Sequence, residues 1–397
     1  MAALRLRQLQ PGARIVVLDA GRIAAGASGR NSGFMIDLPH DLQSEYYAGA
    51  GDDRTMIALN RRAIGFAAEA VEHYDNDRNF FDPGGKLNGA VSAAAQDHNV
   101  AYARHLEALG ERCEVLDEKA MFEVTGARHY RSGLISPGTV MLQPAGYIRG
   151  LAAGLQAEGG YAFEGSPATA IERAGPDWQV ATPRRNVTAP HVILTVNRHL
   201  KSFGFEHARL MQLLLYAVMT PELGGETLAR LGGQSRWGIT PSDPMGTTVR
   251  RIDTGQGGNR IVVRTCATLR LDTRPQHGAL ARASRTMRRK FDQRFPQLAG
   301  SGMDSAWAGH LCLARNGVSV TRQLYEDLWS ACVQKGLGTV RGTLTGLAAA
   351  ELACGETSII TQHFQGEARP KRLPPQPFLH IGANALLRAR EWRARDE

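Results

Sequence analysis

The residues best suited to chemistry in this chain gather around Asp19. It stands at the tip of the apolar run Arg14-Ile-Val-Val-Leu-Asp-Ala20, and a carboxylate at a strand tip is the group that accepts a ribose hydroxyl in dinucleotide sites. After a short link comes Gly26-Ala-Ser-Gly-Arg-Asn-Ser-Gly33. Small residues of this kind let backbone N–H groups approach phosphate oxygens closely. Asp19 is therefore expected on a ribose, with Ala27, Ser28, Gly29, Arg30, Asn31, Ser32 and Gly33 on phosphate and neighbouring cofactor atoms. Ser28 lacks the G-x-S-x-G spacing of a hydrolase elbow, so its hydroxyl reads as a phosphate contact and not as a nucleophile.

These residues need positioning elements. A helix over Ala2 to Leu9, a Pro11-Gly12 turn and the buried strand ending at Asp19 make up half of a βαβ unit. The acidic strand tip usually follows a G-x-G-x-x-G loop by about 20 residues, which puts that loop at or before Met1. The expectation is a Rossmann-like domain lacking its first strand and glycine loop, and a true start upstream of Met1 would restore both.

Composition removes several classes. With 397 residues and 43% apolar content, the chain exceeds what one core usually supports, so two interlocked domains are expected. Its longest apolar stretches fall well short of the roughly 18 residues of a spanning helix, and no signal segment follows Met1. A cytoplasmic protein without integral membrane association is the reading. Cys113, Cys266, Cys312, Cys332 and Cys354 are scattered, without C-x-x-C pairing, so neither disulfides nor zinc are expected, and no histidine pair has metal-ligand spacing. The net charge of +9 is dispersed. The local group Arg285, Arg288, Arg289 and Lys290 reads as a solvated helix face, not a nucleic-acid patch.

The order of segments resembles the D-amino-acid oxidase-like family of FAD oxidoreductases, in particular its gamma-glutamylputrescine oxidoreductase-like branch. Val16-Val-Leu-Asp-Ala and Gly26 to Gly33 look like the family's start. Gln143-Pro144 opening a helix, Ala168-Thr-Ala-Ile-Glu172 and Val192-Ile-Leu-Thr-Val-Asn197 look like its second cofactor region, which implies Ala168 beside adenine and Thr195 closing the cofactor strand. Trp307-Ala-Gly309 matches its W-x-G element. Gly336-Leu-Gly338 before an alanine-rich helix takes the place of the carboxy-terminal glycine motif, which implies Gly336, Leu337, Gly338 and Thr339 at the flavin. One departure stands out: Val333 and Lys335 occupy positions where the family motif begins Gly-x-Asn-Gly, and a β-branched Val333 resists a positive φ. The Gly336 run is not read as a nicotinamide site, since no acidic strand tip follows it.

The resemblance implies an α/β fold (α+β overall), an FAD/NAD(P)-binding Rossmann-like domain interleaved with a sheet-plus-helices substrate domain. The cofactor segments are 1–50, 144–202 and 301–364; the substrate segments are 51–143 and 203–300; 365–397 is a proline-rich tail ending in an arginine-rich helix. A stripe of Met56, Leu59, Ala63, Phe66, Ala67, Ala70, Val71 and Tyr74 marks a core-packing helix. The implied activity is oxidation of a C–N bond in a small amine or amino acid, with oxygen or another acceptor taking the electrons. Because the cofactor performs the difficult step, no catalytic base is named. Arg251 and Trp307 are the pocket candidates, one as a carboxylate fork and the other as an aromatic wall. The alternative is a non-catalytic remnant or interaction scaffold with weak or no FAD binding, since a missing phosphate loop removes principal contacts.

Overall fold

The structure is a computed structural model that describes residues 1–39, 52–243, 245–270, 277–334, 336 and 338–397. The call on Leu337, the position of Lys335 and the boundary at 50/51 lie outside the described residues.

Val16–Leu18 forms a parallel pair with Tyr161–Phe163, Val16 opposite Tyr161. Val192–Leu194 pairs in parallel with Leu328–Cys332, which Val320–Tyr325 joins antiparallel. The helix Gly338–Ala353 packs directly on Leu328–Cys332, and Val17 of the first pair packs against the same buried cluster. That helix is apolar on nearly every side, the pattern of a helix surrounded by protein, and Val340, Leu344, Leu347 and Ala348–Ala350 are all buried. The first helix, Ala2–Leu9, packs against it at Gly346, where a side chain would press within 3.0 Å of the Ala2 nitrogen. Asp53–His73, capped by Asp52 through Thr55 N–H at 3.1 Å, packs on it from another side with Leu59, Ala63, Ala67, Ala70 and Val71 buried, as the stripe predicts.

An eight-stranded sheet builds the other half of the molecule. Its order is Ser305–Ala314, Leu210–Met219, Arg260–Leu269, Thr248–Ile252, Trp237–Pro241, Lys86–Ala90, Ser132–Ser136 and Glu114–Asp117. Chain segments far apart in sequence meet here. Ser305–Ala314, grouped by sequence with the cofactor segments, is an edge strand of this sheet. Side chains alternate across each strand. One face, with Tyr216, Val218, Trp237, Ile239, Val249, Ile261 and Val263, packs on Met287, Phe291 and Phe295 of the helix His277–Arg294. The opposite face meets the loop that follows the first pair, through Trp307 and Arg250.

One surface reading changes. Arg285 and Arg289 are exposed, but Arg288 is half-buried against Asp292 at 2.9 Å and Lys290 is buried, donating to the Ala394 carbonyl at 3.0 Å and to a Glu397 backbone oxygen. The basic group is thus only partly a solvated face, because the carboxy-terminal segment folds over it. The tail after Gln365 does end in the arginine-rich helix, Phe378–Arg393, which covers the free edge of Arg260–Leu269. Asn384 Oδ1 accepts from Leu269 N–H at 2.9 Å and a Glu391 oxygen from Ala267 N–H at 2.9 Å, so side chains satisfy amides that lack a neighbouring strand there.

Candidate active site

Asp19 follows directly on its strand, its own N–H bonded to the Phe163 carbonyl at 2.9 Å. Its Oδ1 accepts from Gly21 N–H at 2.8 Å, a local turn that fixes the carboxyl. Oδ2 has no protein partner among the described residues. The loop that follows is anchored to the same strand pair, with Ile23 N–H donating to Glu164 at 2.7 Å.

From Ala27 to Gly33 the loop is shaped by its own small residues. Gly29 lies so close under Ala24 that a methyl group there would overlap the Ala24 carbonyl oxygen. Asn31 staples the turn, donating to the Ser28 carbonyl at 2.6 Å and accepting from Gly33 N–H at 2.8 Å. Gly33 takes φ +76, which favours glycine. Among the described residues the N–H groups of Ala27, Ser28, Asn31 and Ser32 have no protein acceptor. A compact loop with unmet donors beside an unmet carboxylate oxygen suits an anionic, ribose-bearing ligand.

The large sheet grips this loop from below. Trp307 donates its indole N–H to the Arg30 carbonyl at 3.0 Å. Arg250, only 4% exposed, donates to the carbonyls of Ser32 and Gly33, each at 3.3 Å, to that of Leu142, and to Gln256 at 2.8 Å. Burial pulls the Arg250 guanidinium down to about 10. No sequence feature singled out Arg250. Arg251, the residue that was singled out, points to the opposite face of the strand, where it donates to the Gly232 carbonyl away from the loop. Trp307 does reach the site, but as a clamp on the loop backbone.

Of the remaining candidates, Thr195 and the residues from Gly336 to Thr339 that are described follow the two strands of the second parallel pair, whereas Ala168 precedes a strand of a separate antiparallel sheet. Ala168 precedes the strand Ala170–Ala174 and is half-buried; Thr195, just past Val192–Leu194, is exposed. Asn197, at φ +46, accepts from Val333 N–H at 3.1 Å and donates its own N–H to Cys332 Sγ at 3.2 Å, tying the two strand ends together. Val333 does take a positive φ, +68, despite its branching. Such a conformation costs about 1–2 kcal/mol, offset by complete burial of its side chain beside Leu328 and Val320. Gly336 at φ +84 and Gly338 are exposed and Thr339 half-buried as the chain enters the central helix.

Lys86 shares the cofactor-facing side of the sheet. Fully enclosed, its ammonium donates to Asn88 Oδ1 and to Thr240 Oγ1 at 3.2 Å, and burial pushes it from the usual 10.5 down to about 8. The unfolded chain keeps that proton up to about 10.5, so folding stability rises with pH between about 8 and 10.5. Lys86→Met should abolish this rise, which is on the order of 3 kcal/mol. Denaturant titration of both proteins below pH 8 and above pH 10 checks it; parallel pH profiles would contradict the burial.

A strand-tip carboxylate beside a small-residue loop with unmet amide donors suits a nucleotide-bearing ligand, and the class of the protein follows from its family. The chain belongs to the DAO family of FAD-dependent oxidoreductases, whose model matches residues 1–352. It is 24% identical over 381 residues to gamma-glutamylputrescine oxidoreductase of Escherichia coli, covering 94% of this chain and 84% of that one. It is 23% identical over 360 residues to a probable oxidoreductase, OrdL, of Rhizobium meliloti, covering 87% and 79%. The fold matches glycine oxidase from Geobacillus kaustophilus with a TM-score of 0.71 at 16% identity, covering 90% and 92%. FAD is therefore the cofactor, and the unmet donors of Ala27, Ser28, Asn31 and Ser32 with Asp19 Oδ2 fit it. Among the described residues no helix is long and apolar enough to cross a membrane, and no cluster could hold a metal ion.

Proposed function

We propose that this protein oxidises the C–N bond of a small amine or amino acid. The observation that carries the reading is the double clamp: Trp307 and Arg250, from one face of the large sheet, hold the loop 30–33, in which the Asn31 and Ser32 N–H groups meet no acceptor among the described residues. Cofactor loop and substrate-side sheet are thereby locked into one wall. The gamma-glutamylputrescine oxidoreductase and glycine oxidase likenesses both point to nitrogen-bearing substrates.

In this reading the substrate's C–H bond breaks with its electron pair leaving as hydride, while the nitrogen lone pair forms C=N and loses a proton. Water then hydrolyses the imine to a carbonyl compound and ammonia or an amine. Bound FAD supplies the hydride acceptor and passes the electrons to oxygen or another acceptor. The chain's residues position: Asp19 holds ribose, the 27–32 amides hold phosphate or polar flavin atoms, and the sheet face presents the substrate. Ala168, Thr195, Gly336, Gly338 and Thr339 would complete the cofactor's wall.

The test is direct. Purified protein should be yellow, and anaerobic addition of its substrate, drawn from a panel of amino acids, N-alkyl amino acids and amines, should bleach the visible flavin band with release of ammonia or an amine. Protein that takes up no FAD on reconstitution, or a coloured protein that no member of the panel bleaches, would overturn the reading.

A further inference from the structure

The helix Phe378–Arg393 holds to the protein by its polar side. Asn384 and Glu391 take the amides of Leu269 and Ala267, Glu391 also lies 3.3 Å from Arg282, and Arg388 donates to Thr268 Oγ1 at 3.1 Å. None of its 16 residues is buried. A surface helix ordinarily turns its apolar stripe to the core; this one turns it outward. Phe378, Ile381, Ala385, Ala389 and Trp392 recur at steps of three and four, which sets them in one row. Phe378 is 72% exposed, Ile381 63% and Trp392 69%, and Leu386 beside them is 54% exposed. Single exposed apolar residues are ordinary, but a continuous row of them marks a surface that something covers.

The surroundings of the row are basic. After Pro370 the chain carries Lys371, Arg372, Arg388, Arg390, Arg393 and Arg395 against three acids. Of the acids, Glu391 is turned to the sheet, Glu397 is buried on the Val91 and Ser92 amides, and Asp396 lies 3.6 Å from Arg395. Lys371, Arg372, Arg390 and Arg393 are exposed, and the whole chain carries a net +9. A second copy would fit this surface poorly, since a two-fold contact sets a patch against itself and would add arginine to arginine. Anionic lipid headgroups answer the charge, and the acyl layer beneath them answers the apolar row. Aromatic side chains with flanking arginines are the composition of helices that lie in that interface.

We propose that Phe378–Arg393 is a peripheral docking helix for an anionic phospholipid surface. It lies along the headgroup layer, with Phe378, Ile381, Leu386 and Trp392 sunk into the outermost acyl region and Arg390 and Arg393 among the phosphates. Its inner side stays bonded to Arg260–Leu269, so the large sheet is held at the membrane surface without this helix crossing it. Docking of this kind is independent of which substrate the protein oxidises.

The experiment sediments the purified full chain with vesicles of phosphatidylcholine alone and of equal parts phosphatidylcholine and phosphatidylglycerol. Wild type should bind the anionic vesicles roughly 10-fold or more tightly than the neutral ones. Ile381→Ser combined with Trp392→Ser leaves every charge in place and should weaken that binding roughly 100-fold, the worth of two large apolar side chains. Arg390→Gln combined with Arg393→Gln should weaken it roughly 10- to 30-fold. The matched control, Arg184→Gln with Arg185→Gln on an exposed turn away from this helix, should bind as wild type does. Wild type that stays in the supernatant with anionic vesicles, or that binds both kinds equally, overturns the proposal. So does binding that the serine pair leaves unchanged, since net charge alone would then account for it. Sedimentation velocity reads the rival occupant: a dimer that the serine pair dissolves, in a protein that no vesicle retains, gives the row to a second copy. Should the serine pair unfold the protein, Trp392 itself decides. Its fluorescence, taken as the difference between wild type and Trp392→Phe, should move to shorter wavelength on anionic vesicles, and an unmoved difference overturns the insertion.

Discussion

Arg250→Met is expected to release most of the bound FAD and to cost about 3–5 kcal/mol of stability, the usual penalty for removing one partner from a buried charged network. The variant removes the Arg250 donor from the carbonyls of Ser32 and Leu142 and from the Gln256 amide oxygen, while the Gly33 carbonyl keeps the Leu142 N–H at 2.7 Å. Each stranded group costs about 1–3 kcal/mol if water cannot reach it. The ratio of flavin to protein absorbance after desalting measures cofactor retention, and denaturant titration measures stability. Arg251→Met is the matched control. That side chain serves the Gly232 carbonyl on the other face, so its loss should leave FAD content near wild type. Equal FAD loss in both variants would mean that general destabilisation, and not the loop clamp, governs cofactor binding.

Gly29→Ala should be nearly as damaging to cofactor binding through a single methyl group. The added carbon would collide with the backbone oxygen of Ala24, which cannot rotate away as a side chain can. Relief requires the turn to open, moving the amides of Ala27, Ser28 and Asn31, which have no protein acceptor among the described residues. A displacement of about 1 Å in such a loop can cost roughly 100-fold in function, and an FAD dissociation constant raised by about that factor is the expected result. Gly26→Ala, three residues earlier, meets nothing within 4 Å and should bind FAD as wild type does. Flavin fluorescence titration of the two apoproteins reads the difference. A Gly29→Ala protein with unchanged affinity would show that the turn plays no part in shaping the cofactor loop.

The cofactor half was legible because its signals are local. A run of β-branched and aliphatic residues ending in Asp19, then a small-residue loop, specifies a strand and a turn through backbone preferences that act over a few residues. Asn31 needs only neighbours three residues before and two after it to staple that turn. The helix from Asp53 showed itself by its stripe, and the resemblance of ordered segments led to the family that residues 1–352 match.

The substrate half was harder to read. Arg250 and Arg251 are adjacent arginines in one strand, and adjacency gives no clue to which faces the cofactor; a one-residue shift of register exchanges their roles. Lys290 lay in a basic run that reads as solvated until the carboxy-terminal segment covers it. Val333 adopts a conformation that its own propensity opposes, because Asn197 binds its amide and the core encloses its side chain.

The sequence by itself determined the strand tip at Asp19, the loop from Gly26 to Gly33, an alanine-rich helix after Gly338 and the family, since each is set by residue type, short spacing and the order of segments. Only the tertiary structure decided that Trp307 and Arg250 would hold that loop and that Arg251 would turn away. Those outcomes depend on register among strands separated by tens to hundreds of residues. Sheet faces are assigned by which partners are already in place, and that information is carried by the assembled sheet and by no single segment.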